Sequence, residues 1–180
     1  MTPLCELADK FKTDKHRPHN YTSEYYRLFA DRRNDVKRVL EVGIRYGASL
    51  RMWEAFFPNA EIVGIDRHPG YLIQEGRIKT YVGNQAKPEK LTKVMQAIGG
   101  KKFDLIVDDG SHKPQKQINC MIALLPFLRD DGVYTIEDIR GDGDLEVIQS
   151  HVPAWLKTSV FVGSKPHPKH GREKMLIITA

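Results

Sequence analysis

The sequence of 180 residues predicts an α/β doubly wound sheet, Rossmann-like and mostly parallel, with seven strands and an antiparallel hairpin at its C-terminal edge. Three observations carry that expectation. Short apolar runs of strand length recur at residues 38–42, 61–65, 77–82, 103–107 and 133–136. Between most of them lie residues with apolar side chains at helical spacing, such as Leu50, Trp53 and Phe57, or Leu91, Val94, Met95 and Ile98. The last two runs, 158–162 and 175–179, have no helical pattern between them, which marks a hairpin rather than a crossover.

Each element has its own local cause. Thr2-Pro3 reads as a cap followed by proline in a first helical turn, and Leu4, Leu7, Ala8 and Phe11 then share one face. Residues 12–21 are polar, dense in ionisable groups and without periodicity. Held between two helices, they read as a lid or as a surface connector. Thr22 or Ser23 caps a second helix with Tyr25, Leu28 and Phe29 inward. Gly43 and Gly47 bracket a tight turn after the first strand, and Pro58-Asn59 ends the helix that follows. Pro88 and Pro114 open two further helices, Gly99-Gly100 closes the first of these, and Pro126 ends or kinks the second. Asp131-Gly132 reads as a turn into the fifth strand, and Leu145, Ile148 and Val152 as one more crossover helix. A basic cluster at residues 165–174 reads as the solvated loop of the hairpin. No repeat or linker divides the chain. The expectation is one domain over 1–180, with a helical cap or lid at 1–35 and the Rossmann-like core at 36–180.

Composition narrows the function class. With 41% apolar and 28% charged residues the chain is an ordinary globular protein, and no apolar run approaches the ~20 residues of a membrane helix. Neither a secretory leader nor a C-x-x-C pair is visible, and Cys5 and Cys120 stand far apart, so a cytoplasmic protein with free thiols is expected. The formal charge of +5 permits nucleic-acid binding without demanding it.

The turn at Gly43-Ile44-Arg45-Tyr46-Gly47 lacks the middle glycine of the dinucleotide fingerprint. Glu41 inside the preceding strand would repel a pyrophosphate but not a cationic ligand. Asp66, ending the second strand, is placed to hold a ribose diol. The sharpest signal is Asp108-Asp109-Gly110-Ser111-His112 at the end of the fourth strand, with Glu137-Asp138 at the end of the fifth. If those strands are neighbours, their ends lie ~5 Å apart. Carboxylates so crowded cannot all stay ionised without compensation, and a hard divalent cation such as Mg²⁺ supplies it. Either pair alone reads better as helix caps, with His112 a surface residue; the two together at adjacent strand ends favour the metal. His112, beside the cluster, has the side chain of a general base near neutral pH.

The turn read with Glu41 resembles the first motif of class I S-adenosylmethionine-dependent methyltransferases, and seven strands ending in a hairpin is how those enzymes finish. Asp108 to His112 with Ile136-Glu137-Asp138 is similar to the Mg²⁺-dependent sugar O-methyltransferases of macrolide tailoring, the mycinamicin and demethylmacrocin type. Thr13-Asp14-Lys15-His16 with Tyr21-Thr22 and Tyr25, Ser49-Leu50-Arg51-Met52-Trp53, and Phe57-Pro58-Asn59-Ala60 also look like theirs.

The resemblance implies an O-methyltransferase of natural product biosynthesis that uses S-adenosylmethionine and Mg²⁺ on a small hydroxylated acceptor, best a sugar or glycoside diol. It implies Asp109, Glu137 and Asp138 as metal ligands, with His112 and Asp109 catalytic. Donor contacts fall to Thr13, Glu41, Gly43, Gly47, Ser49, Asp66, Asn84, Gln85 and Asp108, and acceptor contacts to Lys15, His16 and Tyr21. Asn84 stands where the family usually has an acid. The macrolide enzymes also carry a substantial domain ahead of this core, so acceptor pocket and assembly do not transfer, and a homo-oligomer stays open. Two rivals remain at this level: a nucleic-acid methyltransferase, for which Asp-Asp-Gly-Ser in place of an Asn/Asp-Pro-Pro-aromatic run disfavours base amino groups but leaves an RNA ribose hydroxyl as acceptor, and a non-catalytic nucleoside-binding protein.

Overall fold

A computed structural model of the chain describes residues 1–167 and 171–180. Among the described residues, eight strands form one sheet: β1 (Arg38–Val42), β2 (Glu61–Asp66), β3 (Gln74–Glu75), β4 (Ile78–Val82), β5 (Phe103–Asp108), β6 (Leu128–Ile139), β7 (Lys157–His167) and β8 (Gly171–Thr179). Their order is β3-β4-β2-β1-β5-β6-β8-β7. Pairings from β4 to β6 are parallel, and β8 runs antiparallel between β6 and β7. The helices are α1 (Pro3–Phe11), α2 (Tyr21–Phe29), α3 (Ala48–Phe56), α4 (Pro88–Ala97), α5 (Pro114–Leu124) and α6 (Asp142–Gln149).

Strand alternation divides the core in two. Leu40, Val42, Ile106, Tyr134 and Ile136 face α4, α5 and α6, where Met95, Met121 and Ile148 meet them. Val39, Leu105, Val107 and Val133 face the other way, onto α1, α2 and α3, where Leu4, Tyr25, Phe29 and Trp53 fill the layer. The N-terminal helices therefore share one layer with α3.

Three local expectations are corrected. The sheet has an eighth strand, because Gln74 and Glu75 fold back antiparallel onto β4; two residues are too few to leave a periodic signal. Asp131-Gly132 is not a turn before the strand. β6 already begins at Leu128, and the extra residues are absorbed as a register shift against β5 between the Phe103 and Leu105 pairings. The hairpin strands run well beyond the expected 158–162 and 175–179, so most of the basic cluster is strand; residues 168–170 lie outside the described residues. Among the described residues no helix is long and apolar enough to cross a membrane.

Candidate active site

Register brings the strand ends to one rim. Val42 pairs with Asp108, and Asp108 with Ile136, so Gly43, Asp109 and Glu137 follow side by side. A cleft of about 860 Å³ opens there, beyond the carboxyl ends of the parallel strands, where open α/β sheets bind ligands. A second hollow, about 380 Å³ and mostly apolar, lies beside Trp155 and Ala180, away from this rim.

Gly43 is required where it stands. Its φ is +94°, and a Cβ there would lie 2.2 Å from the Asp109 carbonyl oxygen. The two loops can therefore touch only through a glycine. Gly47, at φ +77°, caps the start of α3 and does not line the cleft.

The donor half of the cleft has a fixed acid. Asp66 accepts from the backbone N–H of His68 at 2.9 Å and of Arg45 at 3.2 Å, so its carboxylate is oriented before any ligand arrives. Thr13, Ser49, Asn84 and Gln85 also line the cleft. Thr13 and Asn84 accept from the nearby amides of Lys15 and Ala86, and the other two hold more distant groups. Gln85 donates to Asp108 at 2.7 Å and accepts from the Ser111 amide at 2.6 Å, so it clamps the loop carrying Asp109 and His112. Ser49 donates to Glu41 at 2.7 Å.

Glu41 and Asp108, both expected on the donor, do not line the cleft. The period-2 alternation decides this. Glu41 points into the α3 layer, fully buried, and accepts from Trp53 Nε1 at 2.6 Å. Asp108 points into the opposite layer beneath α5. Burial pushes its carboxyl up to about 7, against the Gly110 amide, Cys120 and Gln85, which favour the charged form.

Between the strand ends sits a buried cation that had been expected at the acceptor. Lys15 is 1% exposed. Its ammonium donates to Glu137 at 2.7 Å and Asp109 at 2.8 Å, with Glu41 at 3.4 Å. Burial alone would pull its pKa down, but Asp109, Glu137 and Glu41 hold it well above the ordinary lysine value. Glu137 also accepts from the Tyr25 hydroxyl, which bonds Thr135 as well. Even so the cage is short of positive charge. Burial first, and then Glu41, lift Glu137 to about 7 against the opposing pull of Lys15. Asp109 is likewise raised by burial, despite Lys15, with Glu137, Glu41 and Asp138 adding to it.

The other two residues expected at the acceptor are also turned away. His16 bonds Asp9 on α1 at 2.8 Å. Tyr21, 1% exposed, donates to Asp138 at 2.9 Å. Within the polar segment 12–21, Lys12, Asp14, Arg17 and Pro18 are exposed, and Lys12, Thr13 and Asp14 line the cleft. Lys15, His19 and Tyr21 are buried because the strand-end carboxylates face them.

Asp138 owes its orientation to a backbone irregularity. Alternation would put Glu137 and Asp138 on opposite faces. Instead, Asp138 takes φ +55° where the pairing of β6 with β8 shifts register between Ile136 and Ile139. That left-handed conformation is uncommon for a residue with a side chain, and Asp and Asn tolerate it best. One Asp138 oxygen meets Tyr21 and, at 3.2 Å, His19 Nδ1; the other lies 3.8 Å from His112 Nε2. His19 in turn lies 3.1 Å from Glu173 of β8 and stacks on Tyr21. His19 and Tyr25 are the functional neighbours that sequence reading missed. Glu173 lies 154 positions from His19, and nothing local announces such a contact.

Asp109, His112 and Asp138 each point one ligand atom inward, all within 4.8 Å of one another. Burial lowers the pKa of His112, with Arg140 and His19 acting in the same direction against Asp138 and Glu173. Its Nδ1 is buried with no hydrogen-bond partner among the described residues. The rim thus joins an imidazole of lowered pKa, two cleft-facing carboxylates and surplus negative charge behind them. This donor set fits a divalent cation with an adjacent base.

Residues 40–139 match the family model described as a methyltransferase domain. Mycinamicin VI 2''-O-methyltransferase of Micromonospora griseorubida is 38% identical over 144 residues, 76% of this chain and 36% of that protein. Demethylmacrocin O-methyltransferase of Streptomyces fradiae is 39% identical over the same shares. A methyltransferase from the mycinamycin biosynthetic pathway, solved in complex with Mg, SAH and mycinamycin VI, superposes with a TM-score of 0.70 at 39% identity, covering 76% of this chain and 37% of that one. The chain spans about 36% of the length of these curated relatives.

Proposed function

The chain belongs to the methyltransferase-domain family, and from that premise we propose that it is an S-adenosylmethionine- and Mg²⁺-dependent O-methyltransferase acting on a hydroxyl of a small molecule, a sugar or glycoside diol. One observation carries the reading: Asp109, Asp138 and His112 converge in the cleft that Asp66 also lines. The 38–39% identity to a mycinamicin VI 2''-O-methyltransferase and a demethylmacrocin O-methyltransferase supports the acceptor class. Residues 1–180 act as one domain in this reading, in the cytoplasm, where two buried free thiols are at home.

The chain's own groups divide the work. Asp66 orients the donor through its ribose. Asp109 and Asp138 would hold the metal through carboxylate oxygens, and Glu137, bonded to Lys15 and Tyr25, would be the third carboxylate available to it. Oxygen donors suit Mg²⁺ better than imidazole does, which leaves His112 as the base. When bound, Mg²⁺ supplies a Lewis acid that lowers the pKa of an acceptor hydroxyl, and the donor supplies a methyl group on a sulfonium that leaves as a thioether. His112 takes the hydroxyl proton, and Asp138 at 3.8 Å stabilises the imidazolium that forms. Lys15, Tyr25, His19 and Tyr21 keep the carboxylates in place.

Two outcomes are expected. Asp66→Ala weakens S-adenosylmethionine binding by about 1 kcal/mol or more, the scale of a hydrogen bond to a charged group; unchanged affinity by isothermal titration removes Asp66 from the ribose site. EDTA silences methyl transfer to a panel of glycosides and catechols, and Mg²⁺ restores it. Asp109→Asn abolishes both the activity and its metal dependence. Activity that survives thorough chelation makes the carboxylates purely structural and overturns the metal reading.

A further inference from the structure

The cleft carries cations that the methyl-transfer machinery does not use. Lys12, Arg45, Arg67, Lys113, Lys116 and Arg140 all line it. Among the described residues, none of these six side chains is paired with a carboxylate. The acids of the same cleft differ. Asp66 is held by two amides, Asp109 by Lys15, and Asp138 by Tyr21 and His19; Asp14 is solvent-exposed. Six cations against the four lining acids leave the wall formally two charges positive, with histidines neutral.

The carboxylates behind the rim answer the metal, and neither proposed occupant brings a net negative charge to the outer cations. S-adenosylmethionine carries one more positive than negative charge, and Mg²⁺ adds two. A neutral acceptor would leave the cations beside His112, exposed Lys113 and Arg140 and half-buried Lys116, without a counter-charge in the cleft. Three of the cations are also well placed. Lys113 stands directly after His112 at the entrance to α5, Lys116 lies in the first turn of that helix, and Arg140 follows Asp138 by two residues. Arg140 is close enough for its charge to act on His112. They flank the base on two sides, where the part of the acceptor next to the reacting hydroxyl must lie.

We propose that the acceptor is a sugar bearing an oxyanion, a phosphate ester or a carboxylate, bound by Lys113, Lys116 and Arg140 beside His112. The proposal rests on the O-methyltransferase reading and names the substrate class for that same site. The cations surround a concave cleft, which favours a small anionic glycoside over an extended polyanion. Charge-assisted bonds from these side chains fix the anion and present the neighbouring diol to the base.

The test is direct binding to the whole chain in Mg²⁺ and S-adenosylhomocysteine. The probes are glucose 1-phosphate, glucuronate, methyl glucoside and an oligouridine RNA. At least one anionic sugar should bind about tenfold or more tightly than methyl glucoside, and the preference should shrink as salt is raised. Whichever of glucose 1-phosphate and glucuronate binds better identifies phosphate or carboxylate. The Lys116→Ala/Arg140→Ala variant should lose that preference while its circular dichroism is unchanged. Equal binding of charged and neutral sugars overturns the proposal, and so does binding of none. An intact preference in the variant, or RNA outcompeting every sugar, overturns it too. A parallel titration with S-adenosylmethionine separates the two levels: absent donor binding refutes the methyltransferase reading, whereas normal donor binding without anion preference refutes only the anionic acceptor.

Discussion

Replacing His112 with alanine is expected to slow turnover by ~10²–10⁴-fold, the usual scale for loss of a general base. S-adenosylmethionine and Mg²⁺ binding should stay close to wild type. The Asp66 anchor is remote from the substitution, and the carboxylates of Asp109 and Asp138 keep their own supports in Lys15, Tyr21 and His19. Raising the pH should restore part of the lost rate, because hydroxide or an ionised acceptor hydroxyl replaces the base. Turnover on an acceptor the wild type methylates, measured beside donor and metal titrations, decides the point. If the variant loses Mg²⁺ and keeps substantial turnover, His112 is a ligand and the proton goes elsewhere. That outcome is chemically distinct, because the His112 ligand atom lies within 4.8 Å of those of Asp109 and Asp138 and both roles are within its reach.

Lys15→Met is expected to be the most destabilising single substitution at the site. It keeps the stem and removes the charge, leaving Glu41 and Glu137 buried, and Asp109 beside them, without their cation. Breaking a buried ion pair from one side costs ~3–5 kcal/mol. For a chain of this size that lowers the melting temperature by roughly 6–20 °C. Solvent screening offers little relief at 1% exposure. Adding Glu137→Gln to Lys15→Met should recover part of the loss, since it removes one uncompensated carboxylate. Thermal unfolding of the single and double variants gives the answer. Equal melting temperatures for wild type and Lys15→Met would show that the cage does not depend on its ammonium.

These two residues illustrate different degrees of legibility. His112 could be read from the sequence because it follows Asp108-Asp109 on a turn after an apolar strand, and the chemistry of that turn is local. Lys15 could be seen but not interpreted. In the sequence it is one charge in the polar stretch 12–21, and its partners lie 94 and 122 residues away. Tyr25 and His19 are hidden for the same reason. Tyr25 reads as a core aromatic and does pack on Trp53, yet its hydroxyl reaches Glu137.

By itself, the sequence determined the order of strands and helices, the parallel sheet with its closing hairpin, and the carboxylates gathered at the strand ends. Those follow from local patterns: apolar runs of strand length, helical spacing, and glycine and proline at the breaks. The tertiary structure decided which way each acid points. Alternation from fixed strand registers sends Glu41 into one layer and Asp108 into the other, although both precede cleft-lining turns. The register shift in β6 and the left-handed backbone of Asp138 bring that residue back to the rim. The ammonium of Lys15 makes three acids tolerable in one buried place. A side chain's direction depends on register, and its charge state depends on groups brought near by the whole fold, so neither is written in the residues beside it.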